Sequence, residues 1–261
     1  MLRDCSMTLA ARVKGATKIL TLDIETAPSI VYTWGRFKQN IGLNQVVEDG
    51  RVICVAAKWY GTKDVMFWSE HHDGRDAMIE GIHNALSEAE ITIGYNHKNF
   101  DLKWLRQEFM LSGKRPTPPT KDVDLLSVVR QTARFESNKL DNIAQRLGIG
   151  AKVAHEGFDL WKACMAGDDA AWGRMKRYCV GDVKLTEVLY DELRPWIKGH
   201  PHMGVNSSDE DITCNRCGSD DLERNGTWLA NQIRYVRYQC NGCGGWVRGG
   251  RQARAAVARG I

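Results

Sequence analysis

No run of apolar residues in this sequence reaches the roughly 20 that a membrane-crossing helix needs. The opening MLRDCSMTLAARVKG also lacks the apolar stretch of a secretory leader. These two absences point to a cytosolic protein, with a bacterium or a phage-infected cell as the natural setting, and to no membrane partner. Internal repeats and low-complexity tracts are missing as well, which sets aside solenoid and fibrous architectures. Net charge is slight, at +4, but it is unevenly spread. Residues 212–261 hold eight arginines against three acids, a surplus of +5, whereas the remainder has 28 basic and 29 acidic residues. A basic tail on a near-neutral body suits contact with a polyanion, although a solvated charged face has the same composition.

What is present reads as one α/β domain followed by a small module. KILTLDIET (18–26) opens with an apolar strand. RVICVAAKWYG (51–61) and KDVMFWS (63–69) are rich in β-branched and aromatic residues across a short Gly-containing turn, the signature of a hairpin. Residues 75–90 have helical spacing, ITIGYN (91–96) is a short buried strand, and FDLKWLRQEFML (100–111) is helical. After the breaker-rich GKRPTPPT (113–120), DVDLLSVV (122–129) reads as a strand or a strand-to-helix junction. KLDNIAQRLGI (139–149) and FDLWKACMAGD (158–168) are helices, the first stopping at Gly148. A long amphipathic helix runs from Asp168 to Trp196, capped by Asp168 or Asp169 and halted near Pro195. The boundaries expected are an arm over 1–16, a domain over 17–198, a linker over 199–211, a metal-bound module over 212–248 and a basic tail over 249–261. The alternation of strands and helices predicts a mixed sheet flanked by helices.

Three short stretches concentrate carboxylates. In LDIET, Asp23 and Glu25 stand two apart on a strand, so both project from one face. Adjacent anions on one face repel, and a divalent cation removes the conflict. In YNHKNFD, Asn96 and Asp101 lie between a strand end and a helix start, where an Asp also serves as an ordinary cap. In YCVGD, Tyr178 and Asp182 are four apart on the long helix and share a face.

Together these motifs resemble the DEDDy group of 3′–5′ exonucleases, especially the proofreading domains of family B DNA polymerases. The matching signatures are Asp-Ile-Glu at Asp23–Glu25, Asn-x-x-x-Phe-Asp at Asn96–Asp101 and Tyr-x-x-x-Asp at Tyr178–Asp182. The resemblance spans roughly residues 17–196 and implies a ribonuclease H-like fold. It also implies two Mg²⁺ or Mn²⁺ held by Asp23, Glu25, Asp101 and Asp182, with Tyr178 orienting the attacking water. Asn96, Phe100 and Thr26 would then touch the terminal nucleotide, although a Phe in that place is more often a core residue. Tyr32, Trp34 and Phe37 follow the first motif and either stack an unpaired base or cover the sheet edge. Asp122 and Asp124 read as strand-end carboxylates or as supports for the site. The implied activity is removal of nucleoside monophosphates from single-stranded or frayed 3′ ends, DNA ahead of RNA, alongside replication or repair proteins. An endonuclease of the same fold and a catalytically silent nucleic-acid-binding protein are the alternatives.

Of eight cysteines, four form two knuckles, Cys214-x2-Cys217 and Cys240-x2-Cys243. Four thiolates at that spacing suit one structural Zn²⁺, and the module resembles a zinc ribbon. A pair of redox dithiols is the competing reading. Arg234, Arg237 and Trp246 are its candidate nucleic-acid contacts, with a protein-docking ribbon as the alternative.

Overall fold

The computed structural model describes residues 17–203, 212–231 and 233–251. The expected arm over 1–16, residues 204–211 of the expected linker and the tail from 252 lie outside the described residues. The chain divides into two units, one of residues 18–189 and one that begins at Tyr190. Among the described residues no helix is long and apolar enough to cross a membrane.

The first unit is built on β1 (Ile19–Ala27). Short strands β2 (Ile30–Val31) and β3 (Val46–Glu48) pair in the connection to β4 (Arg51–Trp59), which leads to β5 (Met66–Ser69). Helix α1 (Arg75–Glu88), β6 (Ile91–Gly94), α2 (Asp101–Leu111) and β7 (Lys121–Asp124) follow. Then come α3 (Leu125–Thr132), α4 (Leu140–Leu147), α5 (Phe158–Met165) and α6 (Asp169–Leu193). The five-stranded sheet has the order β5-β4-β1-β6-β7. β4 runs antiparallel to β1 and β5, while β6 is parallel to β1 and β7. The expected mixed sheet and the 51–69 hairpin are both present.

Alternation along β1 sends Leu20, Leu22 and Ile24 to one face, where they pack with Met78, Ile79 and Ile82 of α1 and with Leu102, Leu105 and Phe109 of α2. On the other face Ile53, Cys54 and Ala56 of β4 meet Leu160 of α5 and Trp172, Met175 and Cys179 of α6. The result is a sheet between two helical layers, and the odd-numbered residues Asp23 and Glu25 face the α6 side. Two buried ions tie the layers. Glu108 of α2, fully buried, accepts from the Val52 N–H at 2.9 Å and pairs with the Arg75 guanidinium. Lys58 of β4 reaches Glu187 of α6 at 2.5 Å.

Helix ends follow their local chemistry. Gly148 ends α4 with φ 72°, a left-handed turn that costs glycine nothing. Asp168 caps α6 by accepting from the N–H groups of Ala170 and Ala171, whereas Asp169 turns instead to His71 at 2.7 Å. The long helix stops at Leu193, earlier than Trp196, because Pro195 lacks the N–H that a further turn requires; residues Arg194–Trp196 tighten into a 3-10 turn.

In the second unit β8 (Leu222–Ala230), β9 (Ile233–Cys240) and β10 (Trp246–Arg251) form an antiparallel sheet in the order β10-β9-β8. The first residues of the expected linker are packed rather than free. His200 is buried, its ring stacked on Tyr190 with a 2.7 Å hydrogen bond to the phenol oxygen. Met203 N–H donates to Asn215, and Arg216 donates to the Ile197 carbonyl.

Gly81 shows how closely α1 lies on the sheet. A Cβ there would stand 2.5 Å from Nε1 of Trp68 on β5. Alanine would raise helix propensity by about 1 kcal/mol, yet the overlap costs typically 1–3 kcal/mol. Gly81→Ala is therefore expected to lower the urea midpoint; a raised midpoint would contradict the α1–β5 packing.

Candidate active site

The three motif segments converge. Carboxylate oxygens of Asp23, Glu25 and Asp182 all lie within 4.8 Å of one another. β1 brings the first two, paired with Ala56 and Cys54 of β4, and the strand shifts register just after Glu25. α6 brings Asp182, with Tyr178 one turn earlier, both nearly buried. Asp101 is the first residue of α2, and its Oδ1 accepts from the Ile24 N–H at 3.1 Å. That bond places it against the same segment of β1 as Asp23, although it stands outside the tight group of three.

The turn carrying the second motif has its own requirements. Asn96 has φ 65°, a left-handed conformation that Asn tolerates better than most residues. Its N–H donates to Asp124 at 3.1 Å, and Asp124 also caps α3. Gly94 is needed because a Cβ would sit 2.5 Å from that of His97. His97 is buried beneath the turn, 3.2 Å from the Thr92 hydroxyl, and burial pushes its pKa down to about 4. It is a packing residue. Asp122 accepts from Thr92 and Thr120 at 2.8 Å. Asp122 and Asp124 thus hold backbone and hydroxyl groups.

Phe100 is 41% exposed, edge-on to Trp104. The alternative of a core position does not hold, because the residue precedes α2 with its ring outside the sheet layers. Thr26 lies beyond the register shift, and its carbonyl accepts from Trp161 Nε1 at 3.2 Å. Tyr32, Trp34 and Phe37 are exposed by 77%, 101% and 85%, so they do not cover the sheet edge.

Sequence reasoning missed three neighbours of Tyr178. Lys152 Nζ lies 2.6 Å from Asp182 Oδ2 and donates to the Tyr178 hydroxyl at 2.7 Å. The His155 ring is 4.5 Å from that of Tyr178, and Trp161 closes the far side at 6.2 Å. Lys152 and His155 come from the irregular segment between α4 and α5, which has no periodicity to read; only the pairing of a lysine with a buried acid could have hinted at it.

The electrostatics are those of anions taken from water. Burial raises Asp23 well above the usual carboxylate range, and Asp101, Glu25 and Asp182 push it further. Burial and then Asp182 take Glu25 up to about 8. Burial takes Asp101 up to about 7 even with its backbone hydrogen bonds. Asp182 is raised by burial and partly restrained by Lys152. Burial would lower Lys152, but the Asp182 charge together with the hydrogen bonds to Asp182 and Tyr178 more than reverses this. Among the described residues the buried Oδ1 atom of Asp182 has no hydrogen-bond partner. Oxygen-only donors, mutual repulsion and an orphaned carboxylate oxygen fit a hard divalent cation such as Mg²⁺ or Mn²⁺.

A model of the RNase_H superfamily matches residues 42–194. The chain belongs to the RNase_H superfamily. The match begins after β1, so Asp23 and Glu25 join the site through the fold rather than through the matched span. No curated protein sequence matches the chain. Among solved structures it is similar to the family B DNA polymerase from the hyperthermophilic archaeon Pyrobaculum calidifontis, with a TM-score of 0.52 and 18% identity. That superposition covers 69% of this chain and 25% of the polymerase, and it shows a shared fold.

The cysteines of the second unit form a separate cluster. All four Sγ atoms lie within 4.8 Å of one another, with Cys214–Cys243 and Cys217–Cys240 at 3.6 Å. Four sulfurs about 2.3 Å from a tetrahedral Zn²⁺ stand about 3.8 Å apart, so the set fits zinc. Each knuckle closes through a glycine with positive φ, Gly218 at 78° and Gly244 at 75°. Arg234 falls on the face of β9 opposite to Arg237, because odd spacing along a strand reverses the side. The three expected contacts therefore do not share a surface.

Raised carboxylate pKa values set a pH dependence. The folded chain holds protons on Glu25 and Asp101 that the unfolded chain releases near pH 4–4.5, so stability falls as pH rises through about 7 and 8. His97, held near 4, acts with the opposite sign but mainly below pH 6.5. In magnesium-free buffer Tm is expected to rise by about 2–4 °C on going from pH 8 to 7, the effect of one extra bound proton. Saturating Mg²⁺ should flatten that slope; identical slopes with and without Mg²⁺ would argue against cation binding here.

Proposed function

We propose that this chain is a two-metal 3′–5′ exonuclease that releases nucleoside monophosphates from single-stranded or frayed ends, DNA ahead of RNA. The observation that carries the reading is the meeting of Asp23, Glu25 and Asp182 oxygens within 4.8 Å, with Asp101 hydrogen-bonded across the Ile24 backbone. Membership of the RNase_H superfamily supports a nuclease. The motif order Asp-Ile-Glu, Asn-x-x-x-Phe-Asp, Tyr-x-x-x-Asp supports the exonuclease, and likeness to a DNA polymerase favours DNA.

Asp23, Glu25 and Asp182 would hold one cation, with Asp23 shared and Asp101 serving the other. Bound there, the cations supply charge to the phosphate and acidify an attacking water. The protein's own groups do the positioning. Tyr178 accepts the Lys152 hydrogen bond on its phenol oxygen. Burial and the Asp182 charge raise its pKa, so the hydroxyl stays protonated and donates to the water or phosphate rather than removing a proton. Lys152 fixes Tyr178 and Asp182 together and offers the pocket a cation. His155 and Trp161 hold the ring of Tyr178 in place.

A time course on 3′- and 5′-labelled DNA and RNA oligonucleotides with Mg²⁺ or Mn²⁺ reads polarity and sugar preference together. Sequential loss of mononucleotides from the 3′ end is expected, and a circular strand should remain intact; cutting of the circle would overturn the exonuclease in favour of an internal nuclease. Asp23→Asn should lower kcat by at least about 100-fold, more than the 10- to 100-fold typical of groups that merely support a metal ligand. The same variant should not lose thermal stability in magnesium-free buffer, since it removes a repelled charge. Full turnover in Asp23→Asn would remove the assignment. Lys152→Met should lower kcat by about 10- to 100-fold, and an unchanged rate would exclude Lys152 from positioning Tyr178.

A further inference from the structure

The three-stranded sheet of the second unit has two unlike faces. Leu222, Tyr238 and Val247 pack on the cysteine cluster. Register puts the opposite side chains together: Trp228 pairs with Tyr235, Arg248 with Arg237, and Trp246 with Gln239. We propose that this outer face binds single-stranded nucleic acid, with bases stacked on Trp228 and Trp246 and phosphates held by Arg237 and Arg248.

Like charges directly opposite across a strand pair are destabilising, yet Arg237 and Arg248 stand opposite each other at the middle of the sheet. Among the described residues neither has a carboxylate partner; Arg237 donates only to the Asn225 carbonyl. Aromatic rings hold them instead. Arg237 lies 4.5 Å from the Trp246 ring, and Arg248 lies 4.5 Å from Tyr235 and 5.8 Å from Trp228. Cation–π contacts fix the guanidinium groups without neutralising them, so the pair keeps its demand for an anion. Among the described residues Glu223 is the one acid the register places on this face, opposite Gln239 at the knuckle end.

Trp228, Arg237, Trp246, Val247 and Arg248 line a groove of about 360 Å³, within the range of small-ligand clefts. Trp228 and Trp246 remain 45% and 43% exposed in it. A duplex would engage the arginines but offers no free base faces to the rings. An unpaired strand satisfies both, by phosphate contact and by stacking. The arginine surplus of residues 212–261 extends the attraction.

The test is fluorescence anisotropy of labelled single-stranded and duplex oligonucleotides with the full chain in an Asp23→Asn background, which keeps the probe intact. Trp228→Ala with Trp246→Ala should weaken single-strand binding at least about tenfold and leave duplex binding nearly unchanged. Arg237→Gln with Arg248→Gln should reduce the slope of log affinity against log salt by about 1.4, as for two phosphate contacts on a single strand. One zinc per chain, measured in each variant, guards against an unfolded ribbon. Unchanged affinity in the zinc-loaded variants, or equal losses for both probes, would overturn the proposal. Hydrolysis of the p-nitrophenyl ester of thymidine monophosphate reads the carboxylate site alone. It should be unaffected by the ribbon changes in the native background, so failure there is separable from failure of the binding face.

Discussion

Repulsion among carboxylates withdrawn from water is the constraint around which the first unit is arranged. The strand alternation that buries Leu22 and Ile24 in one layer obliges Asp23 and Glu25 to face the other, and α6 closes over them with Asp182. A protein core does not spontaneously gather anions; each would rather stay in water or take up a proton. The surrounding structure holds them in place. Trp172, Met175 and Cys179 anchor α6 against β4, and the Glu108 bond to Val52 and the Lys58–Glu187 ion pair tie the helical layers to the sheet on either side. Stability supplied by packing is thus set against an unfavourable charge cluster, a common trade between folding and function.

The second unit solves a different problem. Among the described residues its three-stranded sheet has little apolar core, with Cys214, Cys240 and Val247 as the buried cluster. A small sheet of that kind needs a cross-link, and four sulfurs at 3.6–4.8 Å provide the donors for one. The burden then falls on one face only. Because the knuckles organise the inner side, the outer side is free to carry arginines and exposed rings that a conventional core could not accommodate.

Much of this was legible where a residue's neighbours follow from local geometry. Two-residue spacing on a strand put Asp23 beside Glu25, and four-residue spacing on a helix put Tyr178 beside Asp182. Cysteine spacing gave the knuckles in the same way. Lys152, His155 and Trp161 were not legible, since the first two reach Tyr178 from an irregular segment and Trp161 reaches it from α5 across to another helix. Asn96 was singled out, but its left-handed backbone was not foreseen, because nothing in YNHKNFD marks which residue takes that conformation. The linker expected from Gly199 onward has the composition of a loop, and only tertiary contact shows that His200 is buried. Arg234 is a different case. It stands an odd number of positions from Arg237, so the alternation already applied to Asp23 and Glu25 would have separated the two.

Charge balance bears on how many cations the pocket can take. Asp23, Glu25, Asp101 and Asp182 would contribute four negative charges when ionised, and the Lys152 ammonium offsets one of them. A phosphodiester entering the same space restores the fourth. Two divalent cations neutralise that total, whereas one would leave two negative charges uncompensated in a site already shielded from water. Charge added to the phosphate during attack would meet the same deficit, in surroundings where electrostatic terms are stronger than in bulk solvent. The lysine alone cannot relieve it, because its single charge lowers Asp23 and Glu25 by less than burial raises them, and its hydrogen bonds go to Asp182 and Tyr178. The arrangement of this chain's own charges is therefore in keeping with the proposed pair of cations, Asp23 being the carboxylate on which the charges of Asp101, Glu25 and Asp182 all act.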